Sequence, residues 1–205
     1  MHYGEKFNAV THLVGAVLAL AGAALLVVLA AQGGESRKVV GVSIYGATLV
    51  LLYLSSTLYH SLRGRAKIIF QQLDHHSIYL LIAGSYTPFC LVTLRGAWGW
   101  SLFGVVWGLA IVGSLQELWS KSDSRMLSLV IYVVMGWATI VVAYPLLQAL
   151  GTSGFVWLAT GGLLYTVGII FYVLDDRLTH GHGIWHLFVI AGSAAHYFTI
   201  LYYVL

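Results

Sequence analysis

The sequence predicts an all-α integral membrane protein, a bundle of seven transmembrane helices. Of its 205 residues 60% are hydrophobic and only 8% are charged, and mean hydropathy is +0.87. That is too little polar surface for a soluble domain of this length. The apolar residues also gather in runs of about 20, the length that crosses a bilayer core. The 13 Tyr and 7 Trp fit amphipathic rings at the two membrane interfaces.

The first run, near 9–31, is long enough to span and is read as a helix rather than a cleaved signal, despite the small residues Ala30 and Ala31. The second, 39–62, ends in Ser-Ser-Thr-Leu-Tyr-His. The third, 73–94, opens Leu-Asp-His-His-Ser and holds Pro88. The fourth, 98–119, is the most polar, with Trp98, Trp100 and Trp107 and with Glu117 near its end. The fifth and sixth, 126–149 and 154–174, are strongly apolar, and the fifth holds Pro145. The seventh, 183–204, opens within Gly-His-Gly-Ile-Trp-His. Each proline removes a backbone hydrogen bond, so a bend is expected at both. No repeat, linker or extramembrane segment long enough to fold alone interrupts the pattern, so 1–205 reads as one seven-helix domain.

Lys and Arg accumulate in cytoplasmic loops. Lys6, Arg63, Arg65, Lys67, Lys121, Arg125 and Arg177 fall on the side of the N-terminus, and only Arg37, Lys38 and Arg95 on the other. The N-terminus is therefore expected in the cytoplasm and the C-terminus outside, in a multi-pass protein of a plasma membrane, the inner membrane of a bacterium. Because the basic residues lie in short loops, the net charge of +3 is a topology signal and not a nucleic-acid surface. The single Cys90 lies in an apolar run and is expected to pack as a small hydrophobe.

Ionisable groups at membrane depth are costly and need a partner or a job. With this topology the end of the second run and the starts of the third and seventh share the cytoplasmic side. They bring Ser56, His60, Asp74, His182 and His186 to one depth. His182 and His186 stand i, i+4 on one helix face. Three neutral imidazoles with one open position form a catalytic zinc arrangement, so His60, His182 and His186 are expected to bind Zn2+. Asp74 would then hold a water on the metal, with Ser56 nearby to position a substrate carbonyl. The alternative is that these interfacial histidines hydrogen-bond headgroups, carbonyls or one another, and iron, cobalt or manganese could take the place of zinc.

Around this set, Glu5, Asn8 and His12 recur along one face of the entering helix, as outer supports of the site or as a capping network. His196 lies about 15 Å along the helix from His186, too far to ligate the same ion. It serves either helix packing or a proton or substrate path. His75 and His76 point about 100° and 200° around the helix from Asp74, so at most one of them approaches the same centre.

The segments Glu5-Lys-Phe-Asn8-Ala-Val-Thr11-His12, Ser55-Ser56-Thr-Leu-Tyr-His60 followed by Asp74, and His182-Gly-Ile-Trp-His186 with His196 resemble the progestin and adipoQ receptor family, most closely its bacterial hemolysin III-like members. The resemblance covers nearly the whole chain. It implies zinc on His60, His182 and His186, Asp74 contacting it through water, Ser56 close by, and seven helices with a cytoplasmic N-terminus. The family is related in motif to alkaline ceramidases, which implies hydrolysis of a lipid amide. The long cytoplasmic N-terminal domain of the animal receptors has no counterpart here, which argues against hormone reception of their kind. A polytopic bundle with buried His and Asp also does not look like a secreted pore-former.

Three functions follow as expectations. The first is a zinc-dependent hydrolase of a membrane lipid amide or ester, affecting membrane homeostasis. The second is a metal-stabilised sensor or regulator without turnover. The third is a proton or ion transporter. A membrane lipid is the expected substrate or ligand in the first, and nucleic acid is excluded as a partner.

Overall fold

A computed structural model describes residues 4–119 and 125–205 of the protein. Lys121, counted above for orientation, lies outside the described residues. Among these residues the structure is helices joined by short turns, with no strand.

The chain runs through α1 (Lys6–Gln32), α2 (Ser36–Ser61) and α3 (Gly64–Pro88), then a π-helical segment Phe89–Leu94, α4 (Gly96–Trp119) and α5 (Arg125–Gly136). A 3-10 segment Ala138–Val142 leads into α6 (Ala143–Val173), and α7 (Gly181–Tyr203) follows. Six stretches are long and apolar enough to cross a membrane: Lys6–Gln32, Ser36–Ser61, Gly64–Leu94, Gly96–Leu118, Met126–Val173 and Gly181–Tyr203. The fifth takes in both the fifth and the sixth expected runs.

That stretch has 48 residues, about 72 Å at helical rise, over twice the roughly 30 Å of a hydrocarbon core. It is interrupted at Gly151, whose φ of 67° and ψ of 172° lie in a region open in practice only to glycine. The expected continuous helix over 126–149 is also divided. α5 stops at Gly136, and Pro145 sits in the first turn of α6, where its missing N–H leaves no helical bond unmade. The bend thus falls before Pro145, in the 3-10 segment. At Pro88 it takes another form, with α3 ending there and the π-helical turn carrying the chain on to Leu94.

α3 begins nine residues earlier than hydropathy suggests. Its first turns carry Arg65, Lys67, Gln71 and Gln72, polar residues that lower the apolar signal without weakening the backbone bonds that make a helix. Asp74 therefore sits inside α3, about 15 Å from its start.

Side chains turned away from the bundle are apolar, as in Val17 and Leu20, each 63% exposed, which suits a lipid-facing surface. Inside, small residues let helices approach. Ala16, Ala19 and Ala23 lie along α1, and Tyr53 of α2 packs its ring against Gly15. The buried Ser55 and Ser77 hydroxyls meet at 3.1 Å between α2 and α3, and each also reaches a carbonyl of its own helix, Leu52 and Asp74 respectively.

Candidate metal centre

α1 and α7 begin, and α2 ends, at the same end of the bundle. There one ring nitrogen from each of His60, His182 and His186 lies within 4.8 Å of the others. The ring centroids form a triangle with sides of 5.1 Å (His60–His182), 5.1 Å (His60–His186) and 4.8 Å (His182–His186). His60 is buried and His186 fully so.

What surrounds the triangle fixes which nitrogen faces inward. His60 Nδ1 lies 3.2 Å from Glu5 Oε2, His182 Nδ1 lies 3.2 Å from Asp175 Oδ2, and His186 Nδ1 lies 3.2 Å from the Asn8 carbonyl oxygen. Carboxylates and carbonyls only accept, so each neutral ring donates from Nδ1 and keeps its lone pair on Nε2. The Nε2 atoms of His60 and His186 are buried and have no hydrogen-bond partner. Two such orphans at one point are costly unless something accepts their lone pairs. Imidazole lone pairs backed by acceptors on Nδ1 are the usual arrangement of metal-ligating histidines. The donor set thus fits a first-row transition-metal ion.

The supports come from the entry of α1 and the turn before α7. Glu5 also receives a hydrogen bond from Lys67 Nζ. Burial alone would raise the Glu5 carboxyl, but the hydrogen bonds and charges of Lys67 and His60 outweigh it and hold it below the ordinary carboxylate value. Asn8 acts through its backbone, and Thr11 Oγ1 lies 3.3 Å from the same His186 nitrogen. Gly183 makes this approach attainable, since a Cβ there would meet Asn8 Oδ1 at 2.9 Å and the Phe7 ring closer still.

The other expected residues separate into those the structure gathers and those it does not. Asp74, buried at 6% exposure, lines the same cavity as His60 and His182. Ser56 is buried beside the Asp74 carboxyl and closes no regular hydrogen bond. His12 is stacked on His186 at 3.5 Å and 12° and is outside the triangle. His196 is no part of the triangle but lines the deeper part of the same cavity, with its Nε2 3.2 Å from the Leu158 carbonyl oxygen. His75 pairs with Glu117 at 2.8 Å and is no part of the triangle, though both line the same cavity.

Two supports escaped sequence reading. Asp175 stands seven residues before His182, and only the turn that separates α6 from α7 folds it back. Thr11 lies within a segment already singled out, but a threonine one turn from a helix start carries no distinctive signal.

The cavity has a volume of about 670 Å3, within the range of small-ligand sites. It starts at the polar end, beside His60, His182 and Asp74, and continues between the helices to apolar residues such as Ile140, Phe155 and Leu158. The arrangement can hold a cation at one end of a cleft and an apolar chain in the rest.

Comparison with known proteins agrees over this whole length. The sequence family described as Haemolysin-III related matches residues 2–197. The chain is 45% identical to "Hemolysin-3" of Bacillus cereus over 98% of its length and 92% of that protein's. It is 42% identical to "Hemolysin-3 homolog" of Bacillus subtilis (strain 168), over 97% and 93%. It is 30% identical to "Monocyte to macrophage differentiation factor" of Homo sapiens, over 98% and 84%.

Proposed function

The chain belongs to the haemolysin-III related family, and on that premise we propose that it is a multi-pass zinc protein of the plasma membrane, the inner membrane of a bacterium, that hydrolyses an amide or ester bond of a membrane lipid. The observation that carries the reading is the triangle of His60, His182 and His186, each ring backed by an acceptor, set at the polar end of a long amphipathic cavity.

Zinc held by these three nitrogens would supply a Lewis acid for a carbonyl oxygen and lower the pKa of a water. The protein's own residues do the rest. The apolar length of the cavity orders the lipid chain and shuts bulk water out. Asp74, buried at the cavity wall, orients the attacking water, takes its proton and delivers it to the leaving group. Ser56 steadies the Asp74 carboxyl or the substrate carbonyl with its one hydroxyl hydrogen.

In this proposal the bundle crosses the membrane seven times with its N-terminus in the cytoplasm. One argument supports the count. His60 ends α2 and His182 begins α7, and their rings are neighbours. α3 and α4 return the chain to the end where it left α2. If Met126–Val173 crossed once, α7 would begin at the far end, out of reach of His60. Two crossings, with the turn at Gly151, bring His182 back.

The test is hydrolysis of a panel of lipid amides and esters by purified protein in nanodiscs, read by mass spectrometry together with zinc content. Asp74→Asn is expected to lose at least about 100-fold in turnover while keeping its metal. Turnover that survives removal of the metal, or of the Asp74 carboxylate, overturns the proposal. A second reading is a metal-stabilised regulator without turnover. It draws on one observation, that the site ties α1 to α2 through Glu5 and His60 and α1 to α7 through Asn8 and His186. A bound metal with no product from any lipid favours it.

A further inference from the structure

The end of the bundle opposite the histidine triangle carries chemistry of its own. α2 begins there, and the π-helical segment hands α3 on to α4. Among the described residues its cations are Arg37, Lys38 and Arg95 and its acid is Glu35. Glu35 is shared: Oε1 lies 3.9 Å from Lys38 Nζ, and Oε2 accepts from Arg95 Nη2 at 3.1 Å. Lys38 also donates to the Leu205 main-chain oxygen at 2.6 Å. Arg37 is exposed and makes no ion pair or side-chain hydrogen bond with the described residues. Positive charge is therefore left over at this end.

Arg37 and Arg95 line one cleft of about 240 Å3, together with Ser36, Val40, Leu91 and Trp100. No residue of this cleft lines the cavity of the metal centre. A Cβ at Gly99 would collide with the Cys90 carbonyl oxygen, so glycine there lets α4 press against the π-helical wall. Arg95 is held at φ 47° and ψ 174°, a region that residues with a side chain rarely occupy and that recurs at ligand clamps. Its Nε donates to the Val92 carbonyl at 2.9 Å. With the Glu35 contact this fixes the guanidinium and leaves its other N–H groups to the cleft.

The layout of the cleft along the bundle points to the occupant. Ser36 and Val40 stand i, i+4 on one face of α2, Val40 about 6 Å further along the bundle. Ser36 and Arg37 thus sit at the mouth, and Val40, 48% exposed, continues onto the lipid-facing surface. Trp100, 64% exposed, suits the amphipathic ring of a membrane interface. Guanidinium groups hold phosphate oxygens through paired N–H bonds, and the apolar strip below gives an acyl chain a path. A free anion gains nothing from that strip. A headgroup that also carries an ammonium brings its cation against the unmatched charge of Arg37.

We propose that Arg37 and Arg95, with Ser36 and Trp100, bind the phosphate of an anionic phospholipid in the leaflet at this end of the bundle, with one acyl chain along Val40 and Leu91. The bound lipid bridges the start of α2 and the turn before α4. The site does not depend on the hydrolase reading.

The test is native mass spectrometry of the full-length protein in detergent, titrated with dioleoylphosphatidylglycerol or dioleoylphosphatidylcholine. The wild type is expected to bind its first phosphatidylglycerol about tenfold more tightly than phosphatidylcholine. Arg37→Gln, at a residue without a protein partner, is expected to lose most of that preference, about five- to tenfold. Arg63→Gln, at the opposite end, is expected to lose none. Arg95→Gly suits the backbone at its position, so it is expected to melt no lower than the wild type while losing phosphatidylglycerol to the same extent as Arg37→Gln. Excess inorganic phosphate is expected to leave the lipid bound. Equal affinity of the wild type for the two lipids overturns the proposal. So does an unchanged preference in Arg37→Gln or Arg95→Gly, an equal loss in Arg63→Gln, or displacement of the lipid by inorganic phosphate.

Discussion

His12 lies flat against His186, the two rings 3.5 Å apart at their centroids and 12° from parallel. His12 is 2% exposed and neither of its ring nitrogens has a hydrogen-bond partner, while the edge of its ring meets Tyr53 at 5.0 Å. It acts as a flat wall that sets the plane of the His186 ring. His12→Phe keeps the wall and removes two unsatisfied nitrogens, each costing about 1–3 kcal/mol when buried. It is expected to bind metal like the wild type and melt at the same temperature or higher. His12→Ala opens a cavity beside His186 and is expected to cost about 2–4 kcal/mol of stability and lower metal occupancy. Metal content and thermal melts of the two variants together decide this. Loss of metal in His12→Phe would mean that a His12 nitrogen takes part.

Asp175 fixes the His182 ring from outside the triangle, at 3.2 Å. Removing such a partner leaves the ligand in place but frees its orientation, which costs about 10–100-fold in metal affinity at known sites. Asp175→Ala is expected to show that loss in competition with a zinc-chelating dye, whereas Asp176→Ala, one residue on, is expected to show none. Equal effects of the two would mean that only the general negative charge of the turn matters.

Packing at the entry of α1 is testable with glycines. A Cβ at Gly183 collides with Phe7 and Asn8, whereas one at Gly162 finds nothing within 4 Å. Gly183→Ala must push α1 from α7 and carry the Asn8 carbonyl away from His186. It is expected to cost about 1–3 kcal/mol, the usual range of overpacking, and to lower metal content, both read after purification. Gly162→Ala is expected to match the wild type in both measurements.

Composition and hydropathy were enough for the helical membrane fold, because a bilayer admits few alternatives. The histidines of the triangle were legible for a related reason: a costly group at a shared depth stands out against apolar runs. What hydropathy could not show was backbone geometry. The 3-10 turn before Pro145 and the break at Gly151 lie within uniformly apolar sequence, and the early start of α3 lies within polar sequence. Partners recruited across helices were equally hidden. Nothing in the spacing of His75, Glu117 and Ser128 foretells that three helices bring them together, and Asn8 serves through a carbonyl that every residue possesses.

The direction of the chain through the membrane can be read with single cysteines. Cys90 is buried and is replaced by alanine to give a silent background. The junction at Gly151 then separates two pictures of Met126–Val173. If the stretch crosses twice, Thr152, next to the break, lies at the opposite end from Arg65 and Arg177. With the N-terminus in the cytoplasm, as the Lys and Arg balance implies, Thr152→Cys is expected to react with a membrane-impermeant maleimide on intact cells. Arg65→Cys and Arg177→Cys are expected to react only after permeabilisation. The same experiment reads the count and the orientation separately. Labelling of Arg65→Cys and Arg177→Cys from outside, with Thr152→Cys protected, inverts the bundle but keeps seven crossings. Labelling that puts Arg65 and Arg177 on opposite sides breaks the count, and with it the meeting of His60 and His182 on which the metal centre depends.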